Sequence, residues 1–240
     1  MIEKVENLSD LDLFVRDDLF YIRIMSIASA YGFGYDFATF YRQVDSSGKI
    51  TSIISKLDND FTLCKNEFAD NEELAEFFSV IGFSSVLSDE TFDFHNNFDE
   101  GIIMSTCKKV EFVMPYVEID RFPKLMKLFN FIDYDNADFE SWYVDISHRI
   151  RHNCAKAYSL NMNDEIISSG IFSSIYNNDA ILSSVQTLYE CRRMGYASCL
   201  ISEMMSDIKG KIYLMREKNL NEKFYLNLGF ENTGKWRIHK

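Results

Sequence analysis

Twice along this chain, three extended runs rich in β-branched and aromatic residues are joined by short polar turns, then followed by a helix and one further strand. An all-helical fold cannot hold that order. It calls for an antiparallel meander whose third strand is continued, across a helix, into the same sheet. The first set comprises Ala38 to Val44, Lys49 to Lys56 and Phe61 to Cys64, with Asp45-Ser46-Ser47-Gly48 and Asp58-Asn59-Asp60 as turn chemistry. A helix follows, with Asn71 as N-cap, Glu72 and Glu73 in its first turn, Leu74, Phe77, Phe78 and Ile81 on one face, and Gly82 at its end. Ser84 to Leu87 and Gly101 to Thr106 read as further strands, and residues 9–31 as helical but imperfectly periodic.

The second set opens with a strand over Val110 to Val113 and a helix over 121–130 that tolerates Pro123 in its first turn and turns Phe122, Leu125, Met126 and Phe129 inward. Another helix covers 138–151. The meander then returns as Asn153 to Leu160, Glu165 to Ser174 and Asp179 to Leu188, with turns at Asn161 to Asp164 and Asn177-Asn178. A helix over 195–208, a strand over Lys211 to Met215, a short helix over 220–228 and a strand over Glu231 to His239 complete the chain. The two sets are offset by roughly 115–125 residues, which reads as an internal duplication. The expected fold class is α/β (α+β): two domains, 1–108 and 109–240, each a mixed, mostly antiparallel sheet flanked by helices.

Charge is unevenly spread over this pattern. Residues 1–140 carry 12 basic and 27 acidic side chains, residues 141–240 carry 13 and 10, and the whole chain has a formal charge of −12. That balance argues against general nucleic-acid binding, which relies on basic patches. No apolar run approaches the length of a membrane span, and the N-terminus lacks the basic region and apolar core of a signal peptide. Cys64, Cys107, Cys154, Cys191 and Cys199 are odd in number and never spaced as CxxC, so they read as reduced thiols of a cytoplasmic protein. The acidic stretch Asp89 to Glu100 reads as a solvated loop, and His148 with His152, spaced i, i+4 without a supporting ligand motif, as a solvated helix face. No metal site is expected.

The segment that bears chemistry is Val185 to Leu200, where a strand enters a loop containing Arg192, Arg193 and Gly195 and a helix begins. The first amides of a helix lack intrahelical partners and carry the positive end of the dipole, so this junction suits an anion. Taken only as residues, the same junction could be two exposed arginines at an ordinary helix start.

Arg192-Arg193-Met194-Gly195-Tyr196-Ala197 resembles the Q/R-x-x-G-x-G/A loop of the GNAT (N-acetyltransferase) superfamily, and it follows the third meander strand as in that family. Asn221 to Phe230, ending Tyr225-Leu226-Asn227-Leu228-Gly229-Phe230, resembles the family's short helix and Tyr-x-x-x-Gly-Phe ending. The resemblance covers about residues 109–240. It implies that backbone amides of Arg193, Met194, Gly195, Tyr196 and Ala197, with Arg192, hold the pyrophosphate of acetyl-CoA. It further implies that the backbone of Val185 and Thr187 pairs with the pantetheine arm, that Asn221 contacts that arm, and that Tyr225 protonates the departing thiolate.

The corresponding place in the first half, Lys65 to Asn71, has no glycine and is followed by further acidic residues. It is similar to the degenerate N-terminal half of a tandem GNAT protein. The implied activity is acetyl-CoA-dependent transfer of an acetyl group to the amine of a small acceptor, with a cationic one favoured by the acidic N-terminal half. No residue identifies itself as the base. Two other readings stand beside this one: a CoA-binding or interaction protein without turnover, and an aminoacyl-tRNA-dependent transferase on a related fold.

Overall fold

A computed structural model describes residues 1–94, 97–115, 117–132 and 138–240. The chain forms two compact units, each containing parts distant in sequence. The first comprises Met1–Met104, Met215–Leu220 and Asn232–Lys240, and the second Ser105–Leu214 and Asn221–Glu231.

In the first unit, β1 (Ile2–Val5), α1 (Leu8–Asp12) and α2 (Leu19–Tyr31) precede the meander β2 (Ala38–Val44), β3 (Ile50–Leu57) and β4 (Asp60–Lys65). Helix α3 (Asn71–Ile81) leads into β5 (Ser85–Asp89) and β6 (Phe98–Thr106). The strand order is β1-β2-β3-β4-β5, then the C-terminal strand β12 (Glu231–His239), then β6. Strands β1 to β4 pair antiparallel, β4 with β5 parallel, and β12 with β5 antiparallel from Trp236↔Asp89 to His239↔Val86.

The 9–31 stretch is two helices because two side chains start them separately. Asn7 accepts from the Asp10 amide at 3.1 Å, and Asp18 from the Tyr21 amide at 2.8 Å. Helix α2 is imperfectly periodic because it is buried almost all round, Leu19, Phe20, Ile24, Met25 and Ile27 included. Strand β1 was not expected. Nor is the acidic stretch after β5 simply solvated: Phe92 is fully buried in a core with Phe61, Leu74 and Phe78. His95 and Asn96 of that stretch lie outside the described residues.

The second unit contains β7 (Glu118–Asp120), α4 (Leu125–Ile132), α5 (Phe139–Arg151), β8 (Lys156–Met162), β9 (Glu165–Tyr176) and β10 (Asp179–Thr187). A 3-10 turn at Tyr189–Cys191, α6 (Tyr196–Ser206), β11 (Ile212–Glu217, which passes into the first unit after Leu214) and α7 (Glu222–Asn227) follow. The order β11-β10-β9-β8-β7 keeps β10 parallel to β11 and the others antiparallel. Asn177 and Asn178, at φ 46° and 74°, make the tight β9–β10 turn that an Asn pair adopts readily. Leu128, Ile132 and Ile146 from α4 and α5 pack with Ala155, Ala157 and Ile171 of the meander. Helix α6 contributes Leu200, Ile201, Met204 and Met205, all buried. The order helix, helix, three antiparallel strands, helix, parallel strand thus occurs in both units.

Two expectations are corrected here. Val110 to Val113 is not a strand. Its backbone bonds go to a side chain of α6: Ser202 Oγ donates to the Val110 carbonyl at 2.6 Å and accepts from the Phe112 amide at 3.0 Å. Lys109 Nζ donates to the carbonyls of Met205 and Ile208 at the far end of that helix. The helix expected over 121–130 begins at Leu125, after Pro123, which leaves Phe122 outside it; Phe122 and Met126 are exposed, and Leu128 and Ile132 face inward.

Gly101 in β6 marks a close crossing. A Cβ there would lie 2.3 Å from the Arg216 carbonyl oxygen and 2.5 Å from the Trp236 ring. Gly101→Ala should lower stability by about 1–3 kcal/mol through overpacking. Urea unfolding of the two proteins checks this, and an unchanged midpoint would contradict the crowding.

Candidate functional site

Strand β10 is paired on both sides only in its first half, and even there its register with β9 shifts once, between Ile181 and Leu182. Its parallel ladder with β11 covers Ala180–Leu182, and its antiparallel register with β9 slips between Ser183 and Gln186. Ser184 sits at φ 51°, the left-handed conformation of a bulged residue. Ser169 Oγ and Ser168 Oγ of β9 donate to the Ser184 and Gln186 carbonyls at 3.2 and 2.9 Å. The Leu188 amide bonds to Ile167 of β9 at 3.0 Å. Since alternate residues point their backbone groups to opposite sides of a strand, Val185 and Thr187 direct theirs away from β9. They line a cavity of about 650 Å³ together with Gln186, Cys191, Arg192, Arg193, Gly195, Tyr196, Ala197, Ser198, Asn221, Phe224 and Tyr225.

The loop that closes one side of this cavity turns through two left-handed residues, Arg193 at φ 62° and Gly195 at φ 93°. Gly195 is the N-cap of α6 and offers no side chain to the first-turn amides. A Cβ at Gly195 would meet only Met114 Sδ at 3.8 Å, so the demand for glycine is one of backbone angle more than of space. The helix begins with the Cys199 amide bonding to the Gly195 carbonyl at 2.9 Å, which leaves the Tyr196, Ala197 and Ser198 amides without an intrahelical partner.

Arg192 Nε donates to the Thr187 carbonyl at 3.1 Å, and its guanidinium lies 5.4 Å over the Tyr189 ring. The Thr187 carbonyl is therefore already bonded, while its N–H keeps the outward direction. Arg193 has no ion-pair partner among the described residues. Met194 is exposed and its side chain does not line the cavity, so only its backbone belongs to the loop.

The equivalent junction in the first unit is closed. Asp70, not Asn71, is the N-cap of α3, and its Oδ1 accepts from the Glu72 and Glu73 amides at 3.0 and 3.1 Å. A carboxylate of the chain itself occupies the amides that Gly195 leaves open in α6.

Across the cavity, α7 presents two residues. Asn221 is the N-cap at φ 57°; its carbonyl accepts the Tyr225 amide at 3.2 Å, and its side chain makes no cap bond. Tyr225 is 9% exposed and packs against Phe224 and Phe230 at ring separations of 4.9 and 5.7 Å. Burial pushes its phenol up to about 12, so the hydroxyl stays protonated across the neutral and mildly alkaline range. Sequence reasoning missed Gln186, Cys191, Ser198 and Phe224 as lining residues. Position beside the loop motifs was the only signal for them. His148 on α5 and His152, its C-cap, sit with rings 4.2 Å apart, and among the described residues no group of three metal-ligating side chains converges.

No protein-family model and no curated protein matches the chain. Solved structures do. A Drosophila protein is 13% identical with a TM-score of 0.70, covering 100% of this chain and 98% of that one. A tandem GNAT protein from the clavulanic acid biosynthesis pathway is 10% identical with a TM-score of 0.61, covering 99% and 97%. A GCN5-related N-acetyltransferase from Sphaerobacter thermophilus is 11% identical with a TM-score of 0.61, covering 98% and 89%. The chain has the fold of the GNAT acetyltransferases.

The Tyr225 direction is open to measurement. Ultraviolet difference titration of wild type against Tyr225→Phe should show the missing phenolate signal only above about pH 11, because desolvation opposes ionisation. A difference centred near pH 10 would place the phenol in water.

Proposed function

We propose that the protein is an acyltransferase that uses acetyl-CoA to acetylate the amine of a small acceptor. The observation that carries this reading is the single cavity in which an uncapped helix N-terminus, an outward-facing strand edge and a buried tyrosine meet. Each suits a different part of one molecule. The Tyr196, Ala197 and Ser198 amides and the Arg193 guanidinium match a pyrophosphate. The backbone of Val185, with the Thr187 amide, matches the two amides of a pantetheine arm laid alongside β10. Asn221 adds a side-chain amide beside that path, and Arg192, tethered to Thr187, keeps its terminal nitrogens for a phosphate.

The bound co-substrate supplies the reactive acyl thioester. What the chain contributes is position and one proton. Desolvation holds the proton on Tyr225 Oη, where it can be donated to a sulfur that gains negative charge. Ordinarily a phenol that holds its proton so firmly would be a poor acid toward a thiolate. Burial in the same cavity raises the basicity of the thiolate too, which narrows the gap. Outward backbone N–H groups on bulged β10 are placed to stabilise charge on a carbonyl oxygen. Among the described residues, the cavity lining includes no carboxylate or histidine to act as base for an acceptor ammonium. A cationic acceptor is favoured by 37 acidic against 25 basic side chains, a field that concentrates cations around the molecule. The first unit, its helix capped by Asp70, would be a partner domain that does not take the co-substrate.

Calorimetry with acetyl-CoA should show binding that Arg193→Glu with Gly195→Asp abolishes, since the new carboxylates meet the phosphates. Binding unchanged in that double variant would remove the loop from the site. Tyr225→Phe should lower kcat by roughly 10- to 100-fold with affinity for acetyl-CoA nearly unchanged. The raised phenol means that wild-type kcat carries no falling limb from Tyr225 below about pH 11. A falling limb near pH 10 that vanishes in Tyr225→Phe would contradict that. Binding without CoA release across an amine panel would favour a binding protein without turnover.

A further inference from the structure

The second unit has another cavity, of about 470 Å³, lined by Arg121, Phe122, Pro123, Leu125, Ile150, Lys156, Ala157, Tyr158 and Asp207. It shares no residue with the cavity beside α6 and lies at the other margin of that unit's sheet, where the edge strand β7 stops short. Strand β7 covers β8 only at Ser159, Leu160 and Asn161. The next position on β8 facing that edge is Ala157, and the residue that would pair with it is Phe122. The Phe122 amide instead donates to the Asp120 carboxylate at 2.8 Å, an Asx turn that ends the ladder. The Cys154 carbonyl accepts from Ile175 of β9, so by alternation Ala157 directs its backbone N–H and C=O away from β9, toward the edge that β7 has left.

The walls divide into an apolar part and a fixed polar part. Phe122, 88% exposed, Pro123, Leu125 and Ile150 form the first. The polar wall is built on Asp207. Arg121 Nη1 donates to both its oxygens at 2.6 and 2.7 Å, and the buried Tyr158 hydroxyl donates to Oδ2 at 2.6 Å. Arg121 also pairs with Glu203. Burial works against the Asp207 charge, but the bonds from Tyr158 and Arg121 hold the carboxyl below its ordinary range. Asp207 and Arg121 are thus spent on each other and on their neighbours. Lys156 is paired with Asp207 by charge alone: its Nζ lies 3.7 Å from Asp207 Oδ2, an ion pair too long for a hydrogen bond. Among the described residues its three donors have no hydrogen-bond acceptor.

We propose that this cavity is a second ligand site, taking a small carboxylic acid with an aromatic or branched aliphatic body. The body fills the space between Phe122, Leu125 and Ile150, the carboxylate meets Lys156, and the Ala157 backbone receives any amide or hydroxyl the ligand carries. The volume suits a molecule of this size, and Lys156 keeps its hydrogen-bond donors for a carboxylate. Amines are disfavoured because, among the described residues, the one carboxylate in the wall, Asp207, already accepts from Arg121 and Tyr158 and is ion-paired with Lys156.

The test is calorimetry or saturation-transfer NMR on the full chain with phenylacetate and 4-methylpentanoate, alongside phenylacetamide and phenethylamine as neutral and cationic counterparts. The acids should bind and the counterparts bind at least about ten-fold more weakly, the worth of one charge-assisted bond. Lys156→Gln should weaken the acids by a similar factor, and Ile150→Trp should block them by filling the cavity. Should Ile150→Trp not fold, Phe122→Ala at an exposed position gives the same readout. Saturating CoA should leave acid binding unchanged, which separates this site from the cavity beside α6 whatever the fate of the acetyltransferase reading. No binding of either acid, equal binding of acid and amine, or insensitivity to Lys156→Gln and to both apolar variants would overturn the proposal.

Discussion

Much of what this molecule can do rests on how the first turn of a helix is finished. Helix α6 begins at a left-handed glycine that gives its opening amides nothing to bond to, and helix α3 begins at an aspartate that bonds two of its own. Two junctions of the same order, strand to loop to helix, therefore have opposite chemistry. One leaves an unfilled donor set beside Arg193, which has no ion-pair partner among the described residues. The other is self-satisfied and more stable for it, because an N-cap carboxylate bonds orphan donors and complements the dipole. A helix end that is to take an anion from outside has to forgo that internal bond.

The bulge in β10 complements the open helix end. A regular strand would have continued its parallel ladder and consumed its own edge. The slip at Ser184 ends that pairing while the serines of β9 hold the distorted carbonyls in place. An outward-facing strand edge, normally a liability in a sheet, is thereby enclosed in a cavity, where it can serve recognition. The margin at β7 follows the same principle on a smaller scale: an Asx turn at Asp120 cuts a ladder short and a cavity forms at the exposed backbone.

Much of this was legible in the sequence. The meanders, the Asn177-Asn178 turn, α7 and the closing strand follow from periodicity and turn chemistry, and the loop from Arg192 to Ala197 stands out by residue type. The misreadings have physical causes. Val110 to Val113 has strand composition, yet Ser202, far along the chain, takes its backbone bonds. Asn71 and Asp70 are both good caps, and only the chain's path into α3 selects between them. Phe122 and Met126 look like core residues, but Phe122 lies before the helix, and the face that packs inward is the one carrying Leu128 and Ile132.

The sequence by itself determined the order of elements and the position of the glycine loop, because these depend on local propensity and on spacing within a few residues. Tertiary structure decided three further matters. It joined the last strand to β5 of the first unit, gathered Val185, the loop, Asn221 and Tyr225 around one cavity, and buried the Tyr225 phenol enough to hold its proton. Each depends on contacts between residues far apart in the chain, whose energies no local pattern encodes.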